Sequence, residues 1–207
     1  MKNYSRLVKS YSRQARGYDR RWLHYNRETL RATLETIPWG HLARILDVSC
    51  GTGLLEEAVR RLHPDTKVVG IDISPAMLEE ARRKLAGAER VMLVNGAAEV
   101  LPFAAGSFDA VICANSLHYY REPMQALSEF HRVVHADGWV VVVDWCHDYL
   151  SCKIFGLVLP VMDRAYYRMY GMEQCREMLT QAGFQVEFAR RFKIDWLWGL
   201  MAQRAHA

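Results

Sequence analysis

The chain has 207 residues, 51% of them hydrophobic, with 27 basic and 23 acidic side chains and a formal net charge of +4. That length suits one α/β domain with a single substantial core, and that composition excludes disordered and fibrous classes. So small a net charge does not announce a nucleic-acid binder, and the five cysteines (Cys50, Cys113, Cys146, Cys152, Cys175) form no C-x-x-C pair or metal-ligand spacing, which suits a reducing cytosol.

Residues 1–36 read as helical, with aromatic side chains at Tyr4, Tyr11, Tyr18, Trp22 and Tyr25, and Pro38-Trp39-Gly40 closes this leader. Its basic residues, Lys2, Arg6, Lys9, Arg13, Arg16, Arg20, Arg21, Arg27 and Arg31, face only Asp19 and Glu28. A solvated amphipathic helix and a surface for an anionic substrate, lipid headgroups or an acidic partner both fit that pattern. The N-terminus lacks the apolar core of a secretory signal, and the longest apolar run, Ile154 to Met162, is too short to span a bilayer. A cytoplasmic protein is expected.

Strands and helices then alternate. Ile45–Val48 reads as a first strand, Leu54–Leu62 as a helix and Lys67–Ile71 as a second strand. Ser74 is an N-cap with Pro75 in the first helical position, and this helix runs through Lys84. Val91–Val94 and Phe108–Ala114 are strands, Pro123 to His135 is a helix, and Trp139–Asp144 is a fifth strand, continuously apolar as one covered on both faces should be. Residues 147–171 form an apolar, aromatic-rich stretch. Glu173–Ala182 is a helix ended by Gly183, and Phe184–Ala189 and Ile194–Gln203 read as two closing strands. The alternation predicts a doubly wound, seven-stranded, mostly parallel sheet that takes ligands at the carboxyl ends of its strands.

The loop Asp47-Val48-Ser49-Cys50-Gly51-Thr52-Gly53 carries an acid ahead of its glycines. A carboxylate there would repel a diphosphate, which argues against the usual G-x-G-x-x-G use of such a loop and favours a cationic ligand. Gly51 and Gly53 allow close approach of the backbone. Asp72, at the end of the second strand, is placed to accept two ribose hydroxyls.

Five segments in order resemble the class I S-adenosylmethionine-dependent methyltransferases: Ile45–Gly53; Gly70–Ser74; Asn95–Phe103, which is similar to G-D-A-E-x-L-P-F; Ser107–Val111, similar to S-F-D-x-V; and Arg132–Trp139, similar to R-V-L-K-P-G-G-x. The leader Tyr11, Ala15, Tyr18 and Asp19 resembles the small ubiquinone and menaquinone C-methyltransferase branch. The resemblance implies a Rossmann-like methyltransferase domain with S-adenosylmethionine as cofactor. It divides the chain into a helical leader or lid (1–40), a cofactor-binding core (41–146), a substrate-lid insertion (147–171) and a C-terminal helix with a closing hairpin (172–207).

The resemblance also implies roles. Asp47 and Ser49, Cys50, Gly51 and Gly53 would hold the methionine end. Asp72 would hold the ribose, Ile73 and Met77 would sandwich the adenine, and the backbone near Ala97 and Ala98 would meet its edge. Asn115 would lie beneath the sulfonium, with Tyr18 folded over the cofactor. Ser49 stands where the family usually has its first glycine. Ala97 stands where it usually has an aspartate for the adenine amino group, a loss for which Glu99 or a backbone carbonyl would compensate.

Methyl transfer is an in-line displacement for which positioning and exclusion of water can suffice. His118, Tyr119 and Asp144, at the strand ends, are the candidates for catalysis, while packing and capping are the plain alternatives. His131 and His135 are spaced i, i+4 but no glutamate follows His131, so no metal is expected. The expected acceptor is a small, hydrophobic or lipid-like molecule rather than a nucleic acid, because no D/N-P-P-Y tetrapeptide is present. The basic leader and residues 147–171 also suit peripheral contact with a membrane. Two other readings stay open: a non-catalytic cofactor-binding or interaction module, motivated by Ala97, and a nicotinamide-dependent oxidoreductase, motivated by the shared sheet alone.

Overall fold

A computed structural model describes residues 4–163 and 165–207; Lys2 of the basic leader lies outside the described residues. The leader is helical, as its aromatic spacing predicts, but it is broken rather than continuous. Helix α1 (Ser5–Gln14) gives way to a tight 3₁₀ turn at Ala15–Gly17, followed by α2 (Tyr18–Arg21) and α3 (Leu23–Thr36). Gly17, at φ −147°, leaves helical geometry where the absence of a side chain makes a helix interior least stable. The bends fold α1 back over the sheet instead of letting it extend away.

Seven strands follow, in the order β3-β2-β1-β4-β5-β7-β6. Strands β1 (Arg44–Val48), β2 (Lys67–Asp72), β3 (Val91–Asn95), β4 (Phe108–Ala114) and β5 (Val134–Trp145) are mutually parallel. The helices α4 (Leu54–Leu62), α5 (Pro75–Lys84) and α6 (Pro123–Val133) lie between them in the chain. Side chains alternate between the two faces, so Ile45, Ile112 and Val141 pack with Leu30 and Leu34 of α3 on one side. Leu46, Val111 and Val142 pack with Leu127 and Phe130 of α6 on the other. Burial on both faces explains why these strands read as unbroken apolar runs. The order reverses between β1 and β4, and a crevice opens beyond the carboxyl ends of strands at that point.

Three boundaries differ from the sequence reading. The sixth helix ends at Val133, because the β-branched Val134 turns to φ −76°, ψ 149° and begins β5 five residues before Trp139. The extra length is absorbed by a register shift against β4, from Phe108–Val134 to Ala110–Trp139. After β5, residues within 147–171 form α7 (Leu150–Met162), and α8 (Met172–Gln181) follows. The closing strands are β6 (Gln185–Ile194) and β7 (Trp198–His206), antiparallel and joined by a three-residue turn, so Ile194 ends the first strand instead of starting the second. Asp195 makes the reversal at φ +57°, a conformation that short polar side chains tolerate. Strand β7 runs antiparallel to β5 and lies between it and β6.

Among the acids enclosed within this framework, Glu56 is the most completely buried. Glu56, in the first turn of α4, is fully buried, and neither carboxylate oxygen has a hydrogen-bond partner among the described residues. It lies against Gly70 of β2, where any Cβ would collide with its Oε1, and beside the Cys50 thiol. The Asp47 and Asp72 carboxylates and the Lys84 ammonium are the charges that face it. Burial pushes its pKa from 4.5 to about 7, with Lys84 pulling the other way. The fold therefore favours the protonated acid, and stability that is fully present below pH 4.5 is lost as pH rises through about 7. Glu56→Gln is expected to stabilise the protein above neutral pH by about 3 kcal/mol, since one pKa unit corresponds to about 1.4 kcal/mol. It should change little in acid below the ordinary glutamate range. Thermal melts across a pH series check this; a difference independent of pH would show that Glu56 does not titrate.

Candidate active site

The crevice is floored by the loop after β1. Ser49 and Cys50 donate their backbone N–H groups to the Ile71 carbonyl at 2.7 and 3.1 Å, which holds the loop against β2. Ser49 sits at φ +63°, the left-handed region where a glycine would be free of strain. Its hydroxyl meets Tyr120 Oη at 3.0 Å, and Tyr120 in turn meets Ser116 Oγ at 3.1 Å, so a serine in that backbone conformation gains a partner no glycine would have. Gly51 also has positive φ, and its N–H donates to Asp72 Oδ2 at 2.9 Å. Ser74 N donates to Asp72 Oδ1 at 2.7 Å. The Asp72 carboxylate thus closes the loop and starts α5 while each oxygen keeps a further lone pair.

Asp47, at the end of β1, faces the same space and has no hydrogen-bond partner among the described residues. Burial first, then the charges of Glu56 and Asp72, raises it well above the usual carboxylate range. Burial also raises Asp72, and its two backbone bonds oppose that shift. A positively charged guest would relieve all three acids at once.

The free space amounts to about 140 Å³. Nine residues singled out from sequence line it: Tyr18, Asp47, Ser49, Cys50, Gly51, Asp72, Ile73, Met77 and Asn115. Tyr119 lines it as well. Gly53 does not. At φ +79° it lies against α5, where a Cβ would come within 2.8 Å of Leu85 Cδ1, so it serves packing. Ala97 and Ala98 line a smaller adjoining cavity of about 20 Å³, together with Tyr4 and Glu99. There Tyr4 Oη donates to Glu99 Oε1, so the acid nearest Ala97 is already occupied by the leader.

His118 and Asp144 stand behind the wall that Tyr119 makes. His118 Nδ1 lies 2.5 Å from Asp144 Oδ1, and the His118 backbone N–H donates to Asp144 Oδ2 at 3.1 Å. The imidazole is stacked on Trp145 with centroids 4.1 Å apart, and its Nε2 is buried without a partner among the described residues.

The sequence reading did not assign the contacts that close the crevice. Asp19 Oδ2 accepts from Lys84 Nζ at 2.6 Å, and Asp19 Oδ1 accepts from Thr52 Oγ1 at 2.5 Å, which latches the leader to both the loop and α5. Tyr25 Oη donates to Asn115 Oδ1 at 2.7 Å while Asn115 Nδ2 donates to Thr29 Oγ1 at 3.1 Å, so Asn115 holds α3 against the end of β4. Leu7, Tyr11 and Leu30 complete the wall, and the Tyr11 and Tyr119 rings meet edge to face at 5.7 Å. The spacing of the aromatic residues was visible in sequence; their partners, some ninety residues away, were not.

This acid-floored, aromatic-walled crevice agrees with what the chain resembles. Residues 46–142 match the family model described as a methyltransferase domain. A demethylmenaquinone methyltransferase of Staphylococcus aureus is 32% identical, over 68% of this chain and 67% of that protein. A malonyl-[acyl-carrier protein] O-methyltransferase of Legionella pneumophila is 36% identical over 46% of this chain, and the match spans 34% of that longer protein. A solved S-adenosylmethionine-dependent methyltransferase of Thermotoga maritima superposes with a TM-score of 0.76, covering 95% of this chain and 97% of that one; at 19% identity the likeness concerns the fold. Through the relative matched over two thirds of its length, with which the methyltransferase-domain match agrees, the chain belongs to the S-adenosylmethionine-dependent methyltransferases.

Proposed function

We propose that this methyltransferase acts on a small, hydrophobic or lipid-like acceptor, with the reacting groups brought together by the crevice and shielded from water. The observation that carries this reading is the pairing of an acid floor, Asp47 and Asp72, with an apolar wall of Leu7, Tyr11 and Tyr119. The residues present suit the family's cofactor: Asp72 keeps open lone pairs for two hydroxyls, Asp47 is unpaired where a cation is wanted, and Met77 and Ile73 offer soft apolar surface. When bound, S-adenosylmethionine supplies a methyl group on a positively charged sulfur.

The chain's own residues then bind, orient and shield. The leader covers the crevice through the Asp19 latch and excludes water, and proximity within such a closed site lowers the barrier without covalent catalysis. Tyr119 would form the acceptor's near wall, with His118, held by Asp144, packed behind it to fix its position. One relative carries a name that specifies a demethylmenaquinone, which supports an acceptor with an apolar body. The same reading brings the protein to a membrane surface, where such acceptors reside.

Purified protein incubated with S-adenosylmethionine and a panel of apolar acceptors with hydroxyl, amine or activated-carbon nucleophiles should release S-adenosylhomocysteine. Tight cofactor binding without turnover on any of them would instead indicate a non-catalytic module. Asp72→Ala should weaken S-adenosylhomocysteine binding about 10- to 100-fold by calorimetry, the loss expected for hydrogen bonds to a charged group. Full affinity would move the sugar site elsewhere. His118→Ala should lower turnover about tenfold or more by loosening the Tyr119 wall, with cofactor affinity unchanged. Asp144→Asn should lower turnover in the same direction, and a variant with unaltered turnover would remove the pair from the mechanism. Asp19→Asn should speed cofactor release about tenfold in stopped-flow experiments, by removing one charge-assisted hydrogen bond.

A further inference from the structure

Helix α7 is apolar on two opposite sides, with Lys153 as its single charged residue, exposed at the edge of the outer side. On one side Cys152 and Leu159 pack with Met169, Trp145, Phe155 and Tyr166. On the other, Leu150, Ile154, Leu157, Val158 and Val161 form an exposed stripe at helical spacing, with Leu157 and Val161 each 81% exposed. Exposed apolar surface of this extent on a folded domain marks a place where something docks.

Charge beside the stripe says what. Arg6, Lys9, Arg13 and Arg21 of the leader line a shallow groove with Met162 and Ala165 at the end of α7. Among the described residues, none of these four cations has a carboxylate within ion-pair distance. The one acid in the groove, Asp163, accepts from Tyr119 Oη at 2.9 Å. Unpaired cations flanking an uncovered apolar helix face are complementary to a layer with phosphates outside and hydrocarbon beneath. Nucleic acid would match the cations and leave the stripe in water.

We propose that the outer stripe of α7 and the cations of α1 and α2 form a docking face for an anionic phospholipid surface. The stripe enters the boundary between headgroups and acyl chains, and the Arg6, Lys9, Arg13 and Arg21 side chains meet the phosphates. The Tyr119–Asp163 bond joins this face to the crevice wall, so an apolar acceptor leaving the bilayer meets Tyr119 and Tyr11 first. The acceptor's route rests on the proposed substrate class; the docking itself does not.

Co-sedimentation of the full chain with vesicles of phosphatidylglycerol and phosphatidylcholine, against vesicles of phosphatidylcholine alone, tests it. Binding is expected to the anionic vesicles and to weaken at high salt. Leu157→Glu and Val161→Glu should each reduce binding about tenfold or more. Arg6→Ser and Lys9→Ser should each reduce it roughly fivefold. Thermal midpoint and S-adenosylhomocysteine affinity should hold in all four variants, and agreement between the apolar and basic pairs guards against a variant that misfolds. The proposal is overturned if anionic vesicles do not retain the protein, or if the variants bind as well as the native chain. It is equally overturned if sedimentation velocity shows a dimer that Leu157→Glu dissociates, or if polyglutamate binds the basic groove while vesicles do not. Failure to bind vesicles with intact methyl transfer rejects the docking face alone, whereas lost cofactor binding would reject the functional reading and leave vesicle binding measurable.

Discussion

The Asp72 carboxylate, held between two backbone N–H groups, is the constraint from which the site is built. One oxygen takes Gly51 of the β1 loop and the other takes Ser74 at the start of α5, so a single side chain at the end of β2 aligns the loop and the following helix. A carboxylate can do this and still offer lone pairs outward, which a neutral side chain of the same shape cannot match. The cost is electrostatic. Asp47 and Glu56 are buried close by, and Lys84, the cation that opposes them, is also held by Asp19. The protein thus carries an excess of buried acid that a cationic guest neutralises.

Closure of the site depends on the same charges. The leader reaches back across the sheet and is held by three ties of different kinds: Asp19 to Lys84 and Thr52, Tyr25 to Asn115, and Tyr4 to Glu99. Each pairs a side chain near the N-terminus with one at or beyond a strand end. Between the ties lie aromatic rings, so the crevice is acidic at its base and apolar at its wall. That division suits a polar, charged cofactor beneath and an apolar acceptor above, with the His118–Asp144 pair packed behind Tyr119.

Residues that act within a few positions of one another were legible in sequence. The Ser74 cap with Pro75 behind it, the acid that ends β2 and the small-residue loop after β1 all occupy the places their local spacing predicts. Where a residue's setting was not legible, the deciding neighbour was distant. Gly53 reads as a loop glycine, and it also packs against Leu85 and Ala81 at α5. Ala97 and Ala98 line an adjoining cavity in which the leader's Tyr4 donates to Glu99. Ile194 was read as the start of a strand because apolar residues follow it, whereas the pairing of Ile194 with Trp198 made it an end.

The sequence by itself determined the chain order of the sheet strands and of the helices between the parallel ones, the acids at the strand ends and the class of ligand those acids suit, because each follows from periodicity and from chemistry carried on a short run of chain. Only the tertiary structure decided that Asp19 reaches Lys84, that Asn115 is spent on α3, that Asp144 orients His118, and that one face of α7 lies exposed beside cations with no carboxylate partner among the described residues. Those are contacts between segments far apart along the backbone. They exist because the doubly wound sheet brings its carboxyl ends together and the bent leader returns over them, and no local pattern encodes which side chains then meet.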